Sequence, residues 1–372
     1  MRLRFVGRAD PVVGAALELQ LVDLENELPI PAAPGVLEQL AGEPGYSRSL
    51  YQSLVQVETG LHHTVADASR ELYERVDRLR TACEPMGIGL LSSATHPIAG
   101  WRDLHIDDAP RAQAFVRRLQ WVGRRAAVFG LRLHVGVPDG EKAIAIGNAL
   151  TTLVPLFVAL SASSPFWRGH DTGLASCRTR VIENIPNAGL PPLLLNFGDF
   201  QAYVRTLRAA ETIEQIGDIW WDTRPNLKLG TLELQACDAP HTLREASAMM
   251  GLAQAVVVWL LQNYEAGNVI PQQDPWIVRE NKWRATRFGL DAELVTNQEG
   301  GLASVREFFR QVVAQLGGLV DRLGVRDQFA VLEEVMAKGP GYVRQRQVCA
   351  AHGLAQVPGR IMEELLEDRM II

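Results

Sequence analysis

Three short runs in this chain alternate between apolar and polar residues, and that period of two fixes much of what the chain can become. Leu17 to Val22 sets Leu17, Leu19 and Leu21 against Glu18 and Gln20. Leu131 to Val137 sets Leu131, Leu133, Val135 and Val137 against Arg132, His134 and Gly136. Gly230 to Ala236 sets Leu232 and Leu234 against Thr231, Glu233 and Gln235. Successive side chains of a strand point to opposite faces, so each run predicts a strand with one apolar and one polar side. Strands of a parallel sheet, covered on both faces, read instead as continuous apolar runs. The expected fold is therefore α+β: a mainly antiparallel sheet with helices packed on one face and a polar face left open to build a site.

The intervening segments carry helical spacing. In Thr59 to Met86, Leu61, Val65, Ala68, Leu72, Val76 and Leu79 form an apolar stripe. A short strand is expected at Ile88 to Ser92, and a helix at Ala109 to Phe129 whose arginine-rich side is solvated. Lys142 to Ala162 is apolar, with Gly147 and Pro155 inside, and predicts a buried, kinked helix. Pro165 to Pro192, rich in Gly, Pro and Arg, predicts a long irregular segment with a functional role. A helix is expected at Asp199 to Ile216. Ile219 to Arg224 and Gly230 to Ala236 read as a hairpin turning at Pro225 and Asn226. From Thr242 onward the chain reads as helix: Leu243 to Glu265, Trp276 to Arg287, Leu302 to Leu323, Phe329 to Met336 and Gly341 to Arg369.

A net charge of −6 and a pI of about 5.8 exclude a generally basic nucleic-acid binder. The most apolar stretch, Met249 to Leu261, includes Gln254 and is too short to span a bilayer, so a buried helix is expected. Met1 to Val13 carries Arg2, Arg4, Arg8 and Asp10 without an apolar core, and no secretory leader is expected. Cys83, Cys177, Cys237 and Cys349 form no CxxC pair, which argues against a zinc ribbon or a disulfide framework and fits a reducing cytoplasm. The expected partners are small molecules, with no nucleic acid and no membrane; a homo-oligomer is left open. GxxxxGK[ST], GxGxxG, HExxH and GxSxG are all missing.

Three carboxylates, Glu18, Glu58 and Glu233, sit in alternating segments. Converging on one face they would repel unless cations lay between them, and hard oxygen ligands suit magnesium. The plain alternative is three strand residues facing water. His134 is a metal or phosphate contact, or simply a satisfied strand histidine; Gly136 beside it permits close backbone approach. Arg178 and Arg180 in SCRTR are candidates to grip a carboxylate bidentately, against the alternative of exposed loop charges. The same choice holds for Lys282 and Arg284 in ENKWRA, which are two apart on a helix and do not share a face.

At these residues a resemblance appears. GAALELQLVD (Gly14 to Asp23), SSATHP (Ser92 to Pro97), LHVGV (Leu133 to Val137), ALSASSPFWRGHDTGLASCR (Ala159 to Arg178), GTLELQACD (Gly230 to Asp238) and ENKWRA (Glu280 to Ala285) resemble, in order, the type 2 glutamate–cysteine ligase family. These are bacterial carboxylate–amine ligases with a glutamine-synthetase-like catalytic fold. The resemblance implies a single catalytic domain over 1–372, sheet-bearing to about 240 and helical from about 241. It implies ATP and magnesium as cofactors, and a reaction in which glutamate's γ-carboxylate takes the γ-phosphoryl of ATP and an amine, such as cysteine's, then displaces phosphate. Carried over residue by residue, it makes Glu18, Glu58, His134 and Glu233 the metal ligands and Arg178 and Glu233 the catalytic pair. His134, Lys282 and Arg284 would bind the nucleotide, and Thr95, His96 and Arg178 the substrate. Three positions depart: Ala16 where the family's GxExE has its first glutamate, Gln235 where its ExR has arginine, and Arg132 where its HVHVG begins. They point to a slow ligase, and favour as the alternative a non-catalytic or regulatory nucleotide- or amino-acid-binding homologue. A third reading is a phosphotransferase acting on a guanidino or amino substrate.

Overall fold

The computed structural model describes residues 3–371; Met1 and Arg2, part of the stretch read for a leader, lie outside them. Seven strands form the main sheet: β1 (Val13–Asp23), β2 (Tyr46–Arg48), β3 (Leu54–Glu58), β4 (Ile88–Leu91), β5 (Gly130–Gly136), β6 (Thr223–Asn226) and β7 (Thr231–Asp238). Their order is β6-β7-β5-β1-β3-β2, with β4 on the far part of β1, and all pairings are antiparallel. The period of two thus appears as expected, and it also covers the less regular β3 and β6.

The apolar faces of these strands lie in one large core. Leu17, Leu19 and Leu21 of β1, Leu131 and Leu133 of β5, and Leu232 and Leu234 of β7 all belong to it. Helices α1 (Val65–Cys83), α2 (Gly140–Thr151), α3 (Val154–Ser161) and α5 (Leu243–Glu265) supply its other side; α4 (Cys177–Ile182) lies apart from that layer. The run expected to kink does so: α2 and α3 are bent by 60°. Pro155 falls in the first turn of α3, where its missing N–H breaks no helical bond. α5 has the length and apolarity of a membrane span, yet 89% of its most apolar window is buried inside the protein. Thr242 caps it in a box with Glu245.

Several expected boundaries move for local reasons. α1 begins at Val65, not Thr59, because Thr64 caps it by accepting from the Asp67 N–H. The preceding residues run extended, so that His62 bridges to Val13. The helix expected from Leu302 starts at Val305; Leu302–Ser304 pairs with Glu293–Val295, and Ser304 is the cap. The helix expected to Ile216 ends at Ala209. The segment from Pro165 to Pro192, expected to be irregular, contains α4, capped by Ser176. The last two long helices, α7 (Gly341–His352) and α8 (Val357–Glu367), follow α6 (Pro275–Phe288) and three intervening helices. They cover one end of the otherwise open sheet face, where Val22 and Leu91 pack on Val348, Val357 and Ile361.

Candidate active site

The site is built outward from β5, whose polar face carries Gly130, Arg132 and His134. Gly130 is there because of Arg178. A Cβ on residue 130 would lie 2.5 Å from the Arg178 guanidinium, so only glycine lets that side chain lie flat across the strand. Arg178 stands in the first turn of α4. It donates to the carbonyl oxygens of Gln235 at 3.0 Å and Ala236 at 3.5 Å. Those carbonyls are available because β7 slips its register on β5 between Leu234 and Cys237. Such a bulge leaves backbone groups out of the ladder and re-aims side chains. Arg178 is 8% exposed, and its Nε has no partner among the described residues; neither has the Gln235 Nε2. On the other side of Gly130, Glu18 accepts from the Gly130 N–H at 2.9 Å and from the Ser49 hydroxyl at 3.4 Å.

Farther along β5, His134 faces Gly14 on β1 and Glu233 on β7, and Glu233 faces Arg224 on β6. Arg224 grips Glu233 through contacts of 3.1–3.2 Å, and Asn226 adds one of 3.3 Å. The Arg224 guanidinium is itself held by the carbonyls of Ile216 at 2.7 Å and Ile219 at 2.6 Å. Burial pushes the Glu233 carboxyl up, but Arg224, His134 and Arg132 outweigh it and hold the group down at about 2. His134 goes the other way: burial pulls it below the ordinary histidine range, against the attraction of Glu233. Its Nδ1 lies 3.2 Å from the Thr231 hydroxyl. Glu58 faces Ala16 from β3 and is bonded to Gln56 and, at 3.5 Å, to Ser47.

A narrow pocket opens beside Arg178, lined also by Thr179, Trp220, Asp222, Gln235 and Lys282. The buried Lys282 ammonium bridges Asp222 at 2.6 Å and Glu183 at 2.8 Å. Burial raises the Asp222 carboxyl, and Lys282 works against that rise.

The structure thus brings Glu18, His134, Arg178 and Glu233 onto one face, with Glu58 across Ala16 and Lys282 in the adjoining pocket. It leaves three expected residues outside. Arg284 bonds Glu280 at 2.7 Å and the Glu293 carbonyl at 3.0 Å. Thr95, in the buried loop after β4, donates to the Phe166 carbonyl at 2.9 Å. His96 donates to the Glu27 carbonyl at 2.8 Å and accepts from Ile98 and Ala99 N–H groups at 3.2 and 3.0 Å. Both of its nitrogens are spent on backbone, and burial pulls it down to about 4. Arg132, Arg224 and Asp222 were not among the sequence candidates. Arg132 shares the period of two with His134 and was legible in principle. Arg224 needed the hairpin register, and Asp222 a lysine 60 residues away.

Magnesium would need several of these donors free at once. Among the described residues, no group of three or more His, Cys, Asp or Glu side chains is placed to hold a metal ion. Glu233 is clasped by Arg224, Glu18 is spent on Gly130 and Ser49, and Arg132 adds positive charge to the same face. A ready-made metal cluster does not fit this donor set.

The site is thus an open polar face of antiparallel strands, backed by helices and bearing facing carboxylates and arginines. The chain belongs to glutamate–cysteine ligase family 2, whose profile matches residues 12–368. It is 38% identical over 380 aligned positions to "Putative glutamate–cysteine ligase 2-1" of Frankia alni, covering 100% of both chains. It is 38% identical to "Putative glutamate–cysteine ligase 2" of Thermobifida fusca, over 95% of this chain and 90% of that one. Among solved structures, it superposes on a glutamate–cysteine ligase from Francisella tularensis in complex with AMP, with a TM-score of 0.73 and 10% identity, covering 97% of this chain and 90% of that one. A bifunctional glutathione synthetase from Pasteurella multocida gives a TM-score of 0.64 at 14% identity, over 95% of this chain and 52% of that one.

Proposed function

We propose that this chain joins an amine to the γ-carboxylate of glutamate at the expense of ATP, with cysteine the first amine to test. A γ-carboxylate oxygen attacks the γ-phosphorus of ATP and ADP leaves. The amine then attacks the acyl carbon, and phosphate departs with the carboxylate oxygen. Such chemistry asks the protein for positioning and charge neutralisation more than for covalent help. The observation that carries this reading is the Arg178 cradle, a buried guanidinium with an unspent Nε at the mouth of a pocket and beside the carboxylate face. In this reading Arg178 holds the substrate carboxylate or the acyl phosphate, while His134 and Lys282 lie along the nucleotide. Glu233 fixes Arg224, and Glu18 fixes the Gly130 edge of the cradle. Any magnesium would have to enter with ATP, since no prebuilt cluster of side chains stands ready for it among the described residues. Sheet and helical parts act as one catalytic unit, supported by a core cluster that runs from Val13 to Met370. Four free cysteines suit a cytoplasmic setting.

A specific observation favours one second reading. Ala16 and Gln235 remove charged groups from the face, which fits a homologue that binds nucleotide without turning it over. Incubation with ATP, magnesium, glutamate and a panel of amines, followed by ADP release, separates the two. Glutamate- and amine-dependent ADP supports the ligase; nucleotide binding without ADP supports the second reading.

A further inference from the structure

We propose that Arg132 is a resident cation of the active face and binds phosphoryl oxygens of the nucleotide without a metal ion. This rests on the reading of the face as a nucleotide site. Arg132 lies on the polar side of the central strand β5, between β1 and the bulged part of β7. On one side it faces Ala16, which in turn faces Glu58, so only a methyl group stands between the arginine and the carboxylate two strands away. A longer side chain at 16 would stand between the two. On the other side lies the bulge of β7, where the Gln235 Nε2 is buried and has no partner among the described residues.

The neighbouring guanidinium groups are tied down: Arg224 to Glu233 and two carbonyls, Arg178 to the Gln235 and Ala236 carbonyls. Arg132 is tied to no described residue. Two buried donors therefore lie unspent on the β7 side, the Gln235 amide and the Nε of Arg178, a residue more than nine-tenths buried, while the Arg132 guanidinium on the same face is half-buried. Hydrogen-bond donors buried without acceptors are costly unless a ligand takes them. A group with several oxygens and negative charge takes these two, and the planar Arg132 guanidinium, free of protein partners among the described residues, matches phosphate oxygens in pairs. Arg132 and Arg224 both act on Glu233 and hold its carboxyl low, so guanidinium charge already stands against the carboxylates of this face.

The test is ATP binding by calorimetry in EDTA and in excess magnesium, with circular dichroism to confirm folding. The natural chain should bind ATP in EDTA within about threefold of its affinity in magnesium. Arg132→Gln should lose tenfold or more in EDTA and clearly less in magnesium, and Arg132→Lys should restore part of the loss. Ala16→Glu, which sets a carboxylate against Arg132, should also weaken binding in EDTA. Binding by the natural chain only in magnesium, or undiminished EDTA binding by folded Arg132→Gln, would overturn the inference and leave the nucleotide reading standing. No binding in either buffer would overturn both.

Discussion

Glu233 is 1% exposed, and its charge is tolerated because Arg224 meets it along a shared edge. Replacing one partner of such a pair strands the other, at a cost of about 3–5 kcal/mol. Arg224→Met should lose that much stability at pH 7 in urea unfolding, and Arg224→Met combined with Glu233→Gln should recover a large part. Equal stability of the single variant and the natural chain would mean that the pair is not formed. His96 sets a pH dependence of its own. Its folded value of about 4 lies below the ordinary histidine value of 6.5, because burial disfavours the imidazolium. A lowered histidine binds protons more readily when unfolded, so its contribution is complete above pH 6.5 and is lost as pH falls through 4. That difference corresponds to about 3 kcal/mol. His134 is shifted in the same direction and adds to the slope. Unfolding free energies from pH 7 to pH 4 should fall with this profile, and His96→Asn should flatten it; an unchanged slope in that variant would assign the effect elsewhere.

Elements, more than single residues, explain why parts of the site were legible in the sequence and parts were not. Glu18, His134 and Glu233 follow from the period of two, which is a property of the strand alone. Arg178 does not. Its position depends on a short helix inside a Gly- and Pro-rich segment, on a bulge in β7 and on a glycine in β5, three features far apart in sequence that meet only in the fold. Thr95 and His96 were read as substrate residues from a motif, but their polar atoms are turned to backbone, a fact of loop packing that spacing does not encode. The junction of the sheet with the C-terminal helices was equally hidden. Arg344, 1% exposed, binds Glu245 at the start of α5 and Glu364 in α8, and Glu364 also takes the His241 ring at 2.7 Å. Arg344→Met leaves two buried carboxylates facing each other. It should cost at least 3–5 kcal/mol in urea unfolding and speed amide exchange in α7 and α8. Exchange unchanged in those helices would mean that they are held by apolar packing alone.

At the scale of the whole molecule, the sheet presents one balanced polar face, the helices shut the other, and α7 and α8 close one end. What remains open is the rest of the polar face with the narrow pocket beside Arg178, and we assign it to ATP and an amino acid. The claim that an acyl phosphate forms there is tested most directly with glutamate carrying oxygen-18 in its γ-carboxylate. With ATP, magnesium and an accepted amine, the account predicts that each phosphate released carries one labelled oxygen, with ADP and amide formed in equal amounts. Unlabelled phosphate, or ADP formed without glutamate, would contradict it.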